Sequence, residues 1–248
     1  METTTKPTKP WWRELMVQPI AIIAVLVLFI IWLTTSELSE TESVTLTAPN
    51  LLSLTLQHLQ LTVVSIIVVL VLAIPLGILL TRKPLRWLTG PVMSIVNLGQ
   101  AAPAIGLVVL IAFWLGFGFN TAIVALILYS FLPVLKNTMV GLDAVDPKLV
   151  EAGRGMGMSA WRVLFQIELP LAVPIMLAGI RTALVLLVGT ATLATFVDGG
   201  GLGILITTGV NLGLNRVLIT GALLVALLAL AVDWIAQVFE HTLRPKGL

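Results

Sequence analysis

The sequence predicts an all-α protein, a polytopic membrane bundle of about six transmembrane helices. Three observations carry that expectation. Apolar residues make up 58% of the 248-residue chain and charged residues 10%, with mean hydropathy +1.08, more apolar surface than a soluble core of this length could hide. Six stretches, at 15–33, 58–80, 92–115, 121–140, 171–195 and 217–238, approach the roughly 20 apolar residues that cross about 30 Å of hydrocarbon. Basic residues gather in alternate connections, as insertion topology requires.

The first stretch has no small-x-small cleavage site before Glu37, Glu40 and Glu42, and further apolar runs follow it. It is therefore read as a retained span. Residues 51–57 read as an interfacial lead-in turn to the second span. With the N-terminus inside, the inner segments hold Lys6, Lys9, Arg13, then Arg82, Lys83, Arg86, then Lys148, Arg154, Arg162, and finally Arg244 and Lys246. The outer segments hold Arg216 beside Glu37, Glu40, Glu42 and Asp198. Both termini are expected on the cytoplasmic side. Trp11, Trp12, Trp32, Trp87, Trp114 and Trp234 fall near span ends, where aromatic belts form. Pro75, Pro103, Pro133 and Pro174 lie inside spans, a pattern that favours a transporter with bent helices over a simple anchor. Residues 199–210, too short and glycine-rich for a span, read as an outer loop with a short or re-entrant helix. The domain division is residues 1–50 for the tail, first span and outer loop, 51–240 for the core, and 241–248 for a cytoplasmic tail.

Between the fourth and fifth spans, residues 143–170 form a polar, glycine-punctuated insert. Asp146 suits an N-cap and Pro147 a first helical position, so a short helix is expected over about 147–153. Gly153, Gly155 and Gly157 allow a tight corner with positive φ. Ser159 caps a second helix through Trp161, Val163, Leu164 and Ile167, which Pro170 is expected to end. Nucleotide binding at Gly153–Gly157 is disfavoured, because the run lacks both a preceding strand and G-x-G-x-x-G spacing. The chain contains no G-x-x-x-x-G-K-[ST] motif either.

The spacing of Glu151, Ala152, Gly157, Ile167, Leu169 and Pro170 resembles the EAA motif of binding-protein-dependent ABC importer permeases, with Gly153 at the family's second alanine. The segments 100–106, 128–133, 137–147, 179–183, 189–194 and 198–203 resemble the branch that imports glycine betaine, carnitine or choline. Asp198-Gly199 departs from that branch's usual Gly-Ala. The resemblance spans about residues 50–240. It implies a type I ABC importer permease in a bacterial inner membrane, whose EAA loop seats a coupling helix in cytoplasmic ABC ATPase subunits. It also implies a second permease subunit and a separate extracytoplasmic solute-binding protein, since the chain stops soon after its last span. The candidate ATPase contacts are Glu151, Arg154 and Arg162 as polar groups, with Met156, Met158 and Trp161 as adaptable apolar ones.

Arg181 and Asp233 are the ionisable residues deepest in the expected spans, and intramembrane charge seeks a partner or a wet cavity. A pair between them and separate snorkelling of each remain equal alternatives. Thr190, Thr192, Thr195, Gln100 and Tyr129 are available to a pathway, yet small polar residues also mediate helix packing, and packing is the preferred reading. No substrate residue is assigned. The absence of cysteine excludes disulfides and thiol chemistry. His58 and His241 sit in no metal-ligand pattern and read as polar interface residues. No metal or cofactor is expected on this chain, and a net charge of +2 gives no case for nucleic acid. An amino-acid permease, an ion-coupled carrier or channel, and an intramembrane enzyme are the competing classes. The carrier lacks a visible repeat, and the enzyme lacks a His/Asp/Glu cluster.

Overall fold

The computed structural model describes residues 11–243. Lys6, Lys9, Arg244, Lys246 and the side chains of Trp11, Trp12 and Arg13, invoked above for orientation, lie outside the described side chains.

Eleven α-helices follow one another among the described residues: α1 (Trp11–Thr35), α2 (Glu40–Thr45), α3 (Ala48–Thr81), α4 (Thr89–Ala101), α5 (Ala104–Leu115), α6 (Phe119–Asp143), α7 (Pro147–Gly155), α8 (Ala160–Val163), α9 (Leu169–Thr190), α10 (Gly203–Leu212) and α11 (Asn215–Leu243). Five helical spans are long and apolar enough to cross a membrane: Leu15–Thr35, Ala48–Thr81, Phe119–Asp143, Ala160–Val197 and Asn215–Thr242. The sixth expected span, 92–115, is not a single helix. It breaks into α4 and α5, bent by 103°. The cause is local. Pro103 drives Ala102 into an extended conformation (φ −63°, ψ 142°), and the helix ends there. Pro75, Pro133 and Pro174, by contrast, are carried inside continuous helices.

Residues 51–57 also differ from expectation. They are not a separate turn, because α3 begins at Ala48 with Pro49 in its first turn and runs unbroken for 34 residues. Residues 199–210 contain one short helix, α10, after a 3-10 segment Ala191–Val197 that continues α9. The C-terminal residues 241–243 are the last turn of α11.

The core is centred on α6, which packs against α3 on one side and α9 on the other. Leu61, Val69, Leu135 and Leu187 are fully buried there. Small residues set the helix spacing. A Cβ on Gly179 would stand 2.4 Å from Asn137 Cβ and 2.7 Å from the Pro133 carbonyl oxygen, so α6 and α9 touch backbone to backbone. The α1 helix is peripheral, with 6% of its apolar window buried, and it rests on α11. His58 is not an interface residue: it is fully buried on α3, with Nε2 2.9 Å from the Val188 carbonyl and Nδ1 accepting from the Leu202 N–H at 3.3 Å. Both ring nitrogens are thus used to tie α3 to α9 and to the glycine loop before α10. His241 is exposed in the last turn of α11.

Candidate functional site

At one end of the bundle, residues 143–170 fold into a helix, a corner and a second helix. Asp146 Oδ1 accepts from the Lys148 N–H at 2.9 Å and starts α7 with Pro147 in its first turn. α7 runs through Gly153 to Gly155, so neither of those glycines makes the corner. Gly157 does, with φ +82°. The chain is stapled there by Gly157 N–H to Arg154 O at 2.9 Å and Met158 N–H to Gly153 O at 3.1 Å, the C-terminal pattern that satisfies orphan carbonyls. Gly153 is needed for a different reason. It is buried, and a Cβ there would lie 2.6 Å from Ile167 Cδ1. Ser159 Oγ then accepts from the Arg162 N–H at 3.4 Å and opens α8.

Pro170 does not end this second helix. Residues Leu164–Glu168 widen into a π turn in which the Leu169 N–H reaches back five residues to the Leu164 carbonyl. The extra residue gives room for a proline ring that would otherwise meet the carbonyl four positions earlier. The helix therefore continues through Pro170 into α9, and the corner is joined rigidly to a membrane span.

The side chains divide into two sets. Glu151, Ala152, Arg154, Met156, Gly157, Trp161 and Arg162 are exposed, and Trp161 stacks on Phe165 with ring centroids 6.1 Å apart. Gly153 faces inward, and Met158, Ile167 and Leu169 are half-buried; Pro170 lies exposed where α9 begins. Met156 and Trp161, at 75% and 71% exposure, make an apolar surface left open among the described residues, whereas Met158 helps pack the corner on itself. Beside α7 lies a polar cleft of about 500 Å³ lined by Arg82, Arg86, Asp143, Glu151, Arg154 and Glu168, among others.

Sequence reasoning missed Glu168. It is buried, and Arg82, the C-cap of α3, grips it with both terminal nitrogens, Nη1 to Oε1 at 3.1 Å and Nη2 to Oε2. Arg86 Nη2 stands 3.9 Å from Asp143 Oδ1, a looser exposed pair. The available signal was a glutamate directly before a Leu-Pro span entry, facing an arginine at another span's end.

Deeper in the bundle the structure brings Arg181 and Asp233 together. Arg181 Nε donates to Oδ1 at 2.5 Å and Nη2 to Oδ2 at 3.0 Å. Gln18 Nε2 and Gln237 Nε2 donate to the same Oδ2 at 3.1 and 2.9 Å, and Glu240 lies 3.8 Å from Arg181 Nη1. Gln18 also donates to the Leu230 carbonyl, and the Trp234 indole N–H donates to the Leu15 carbonyl, so this network anchors α1. Trp234 is thus a packing residue. Gln100 joins this cluster at the wall of a cavity of about 620 Å³.

At the opposite end, Ser39 caps α2 reciprocally with Glu42, and Arg216 Nη1 donates to Glu42 Oε2 at 3.3 Å. The Ser39 backbone N–H on its carboxylate, with help from Arg216, holds Glu42 below the usual carboxylate range.

This arrangement of spans, a broken third span and a capped corner leading into α9 is the fold of a type I ABC importer permease. It aligns with a chain of the MetNI methionine ABC transporter in an inward-facing conformation at TM-score 0.70 and 24% identity, over 81% of this chain and 100% of that one. Residues 73–245 match the model of the family described as the binding-protein-dependent transport system inner membrane component. The chain belongs to that family. Among its relatives, a glycine betaine/carnitine/choline transport system permease protein of Bacillus subtilis is 41% identical over 80% of this chain and 91% of that protein. An osmoprotectant import permease protein of Salmonella typhimurium is 39% identical over 81% of this chain and 95% of that one.

Proposed function

We propose that this chain is the membrane subunit of an ATP-driven importer of quaternary ammonium osmoprotectants, namely glycine betaine, carnitine or choline. It hydrolyses no ATP itself; a separate ATPase does so and drives it through the corner at 147–170. The observation that carries the reading is that corner: a capped helix and glycine turn with exposed Glu151, Arg154, Met156, Trp161 and Arg162, joined without a break to α9. An exposed Met and Trp flanked by charges is the anatomy of an anchor for a protein partner. The π turn and the Arg82–Glu168 pair give a push on that anchor a rigid route into α9 and α3.

Orientation follows with the corner and both termini on the cytoplasmic side. Arg82 and Arg86 stand beside Arg154 at the same end, which agrees with the positive-inside asymmetry of the loops. A second permease, identical or sister, completes the pathway, and a binding protein delivers cargo from outside. The cargo class is supported by relatives near 40% identity that are named for these solutes.

Two measurements test the reading. The ATPase should co-purify with the wild-type chain and be lost from Glu151→Lys, which still reaches the membrane. Labelled betaine, carnitine or choline should accumulate in hyperosmotic medium, and uptake should fail in that variant. Normal ATP-driven uptake by Glu151→Lys would remove the coupling assignment; uptake of amino acids alone would replace the cargo class.

A further inference from the structure

A cavity of about 410 Å³ opens between the 3-10 segment Ala191–Val197 and α10. It stands at the far end of α9, whose 22 residues rise about 33 Å from the coupling corner. Its size falls in the range of small-molecule sites. Its wall includes Phe196, 44% exposed, with Thr192, Thr195, Thr207 and Asn211. Among the described residues no charged side chain lines it.

Two hydroxyls of this wall already donate to backbone carbonyls. Thr192 Oγ1 donates to the Gly189 carbonyl at 2.7 Å, and Thr207 Oγ1 donates to the Gly203 and Ile204 carbonyls, each at 3.2 Å. Thr195 Oγ1 and Thr207 Oγ1 stand 3.4 Å apart, a contact in which either can be the donor. Each of the three hydroxyl oxygens keeps a lone pair that can face a ligand. The two walls are also fixed against each other, since a Cβ on Gly203 would fall 2.0 Å from the Thr192 carbonyl oxygen.

Resting on the cargo class proposed above, we infer that this cavity is a cargo site within the permease itself, shaped for a methylated quaternary ammonium. Such a cation has no N–H to give and a diffuse charge. It is stabilised by an aromatic face and by oxygen lone pairs. Phe196 supplies the face, and Thr192, Thr195 and Thr207 supply the oxygens. The Asn211 amide offers N–H donors for the carboxylate of a zwitterionic cargo. The absence of a full counter-charge in this wall keeps binding weak enough for cargo to move on.

The test is direct binding of labelled tetramethylammonium and choline to the detergent-solubilised permease–ATPase complex, without the binding protein. Phe196→Leu keeps apolar bulk but removes the quadrupole, and should weaken binding about 5- to 30-fold. Phe196→Tyr should bind as the wild type does. Thr195→Val should cost about 2- to 5-fold. Choline's uncharged isostere, with carbon in place of nitrogen, should fail to displace the label. Equal binding by Phe196→Leu, equal displacement by the isostere, or no wild-type binding of tetramethylammonium would each overturn the site. Tetramethylammonium binding that depends on Phe196 in a complex that imports none of the three osmoprotectants would leave the site standing and remove the cargo reading instead.

Discussion

Replacing Arg82 with alanine isolates the link between α3 and the entry of α9 behind the corner at 147–170. Glu168 keeps 9% of its side chain exposed and Arg82 33%, so the variant strands a carboxylate that water hardly reaches. Breaking a buried pair costs about 3–5 kcal/mol, and the one-third exposure of the arginine discounts this to about 2–3 kcal/mol. For a chain of this size that is a fall of about 4–12 °C in Tm. Intrinsic tryptophan fluorescence in a thermal ramp of the purified protein reads it. The double variant Arg82→Ala/Glu168→Gln should recover most of the loss, because a neutral amide tolerates the site better than an orphaned anion. A single variant that melts with the wild type, or a double variant no better than the single, would refute the reasoning.

Gly157→Asp forces a side chain into the left-handed corner at a cost of about 1 kcal/mol, and it should abolish uptake while the protein still inserts, measured as transport per membrane-inserted copy. Gly179→Val pushes a side chain into Asn137 and the Pro133 carbonyl; it should prevent accumulation of folded protein, read by size-exclusion chromatography. Glu42 has a folded pKa below its unfolded one, so its contribution is present above the ordinary glutamate range and lost as pH falls through the depressed value. The Tm gap between wild type and Glu42→Gln should be open at pH 7 and close as the pH falls through the depressed value, below the ordinary glutamate range.

The long apolar runs, the Asp146 and Ser159 caps and the Gly157 corner were legible in sequence because each rests on a local rule: hydrocarbon thickness, an orphan N–H, a positive φ. What escaped depends on partners distant in the chain. Pro103 and Pro170 look alike as helix breakers. One does break its helix, while the other is absorbed by a π turn that a buried Arg82–Glu168 pair flanks. His58 reads as polar and therefore superficial until α9 and the glycine loop supply acceptor and donor for its two nitrogens. Gln18 gave no signal, since its meaning lies in Asp233 on a helix more than 200 residues away. In residues 147–170 the motif's spacing could not divide the stretch into the outward Glu151, Met156 and Trp161 and the inward Gly153 and Ile167.

The sharp turn between α4 and α5 sets a condition on the whole assembly. At 13 and 12 residues the two rods reach about 20 and 18 Å, and neither alone crosses the hydrocarbon. Their elbow leaves peptide groups outside any helix, which lipid tails do not tolerate and only protein or water can line. Among the described residues none of α4 is fully buried, and only one side of it, with Val92, Met93 and Val96, packs partly against the core. The elbow at Ala101 to Pro103 is thus a stretch of chain that faces protein or water, never lipid tails, wherever the bilayer closes around the bundle.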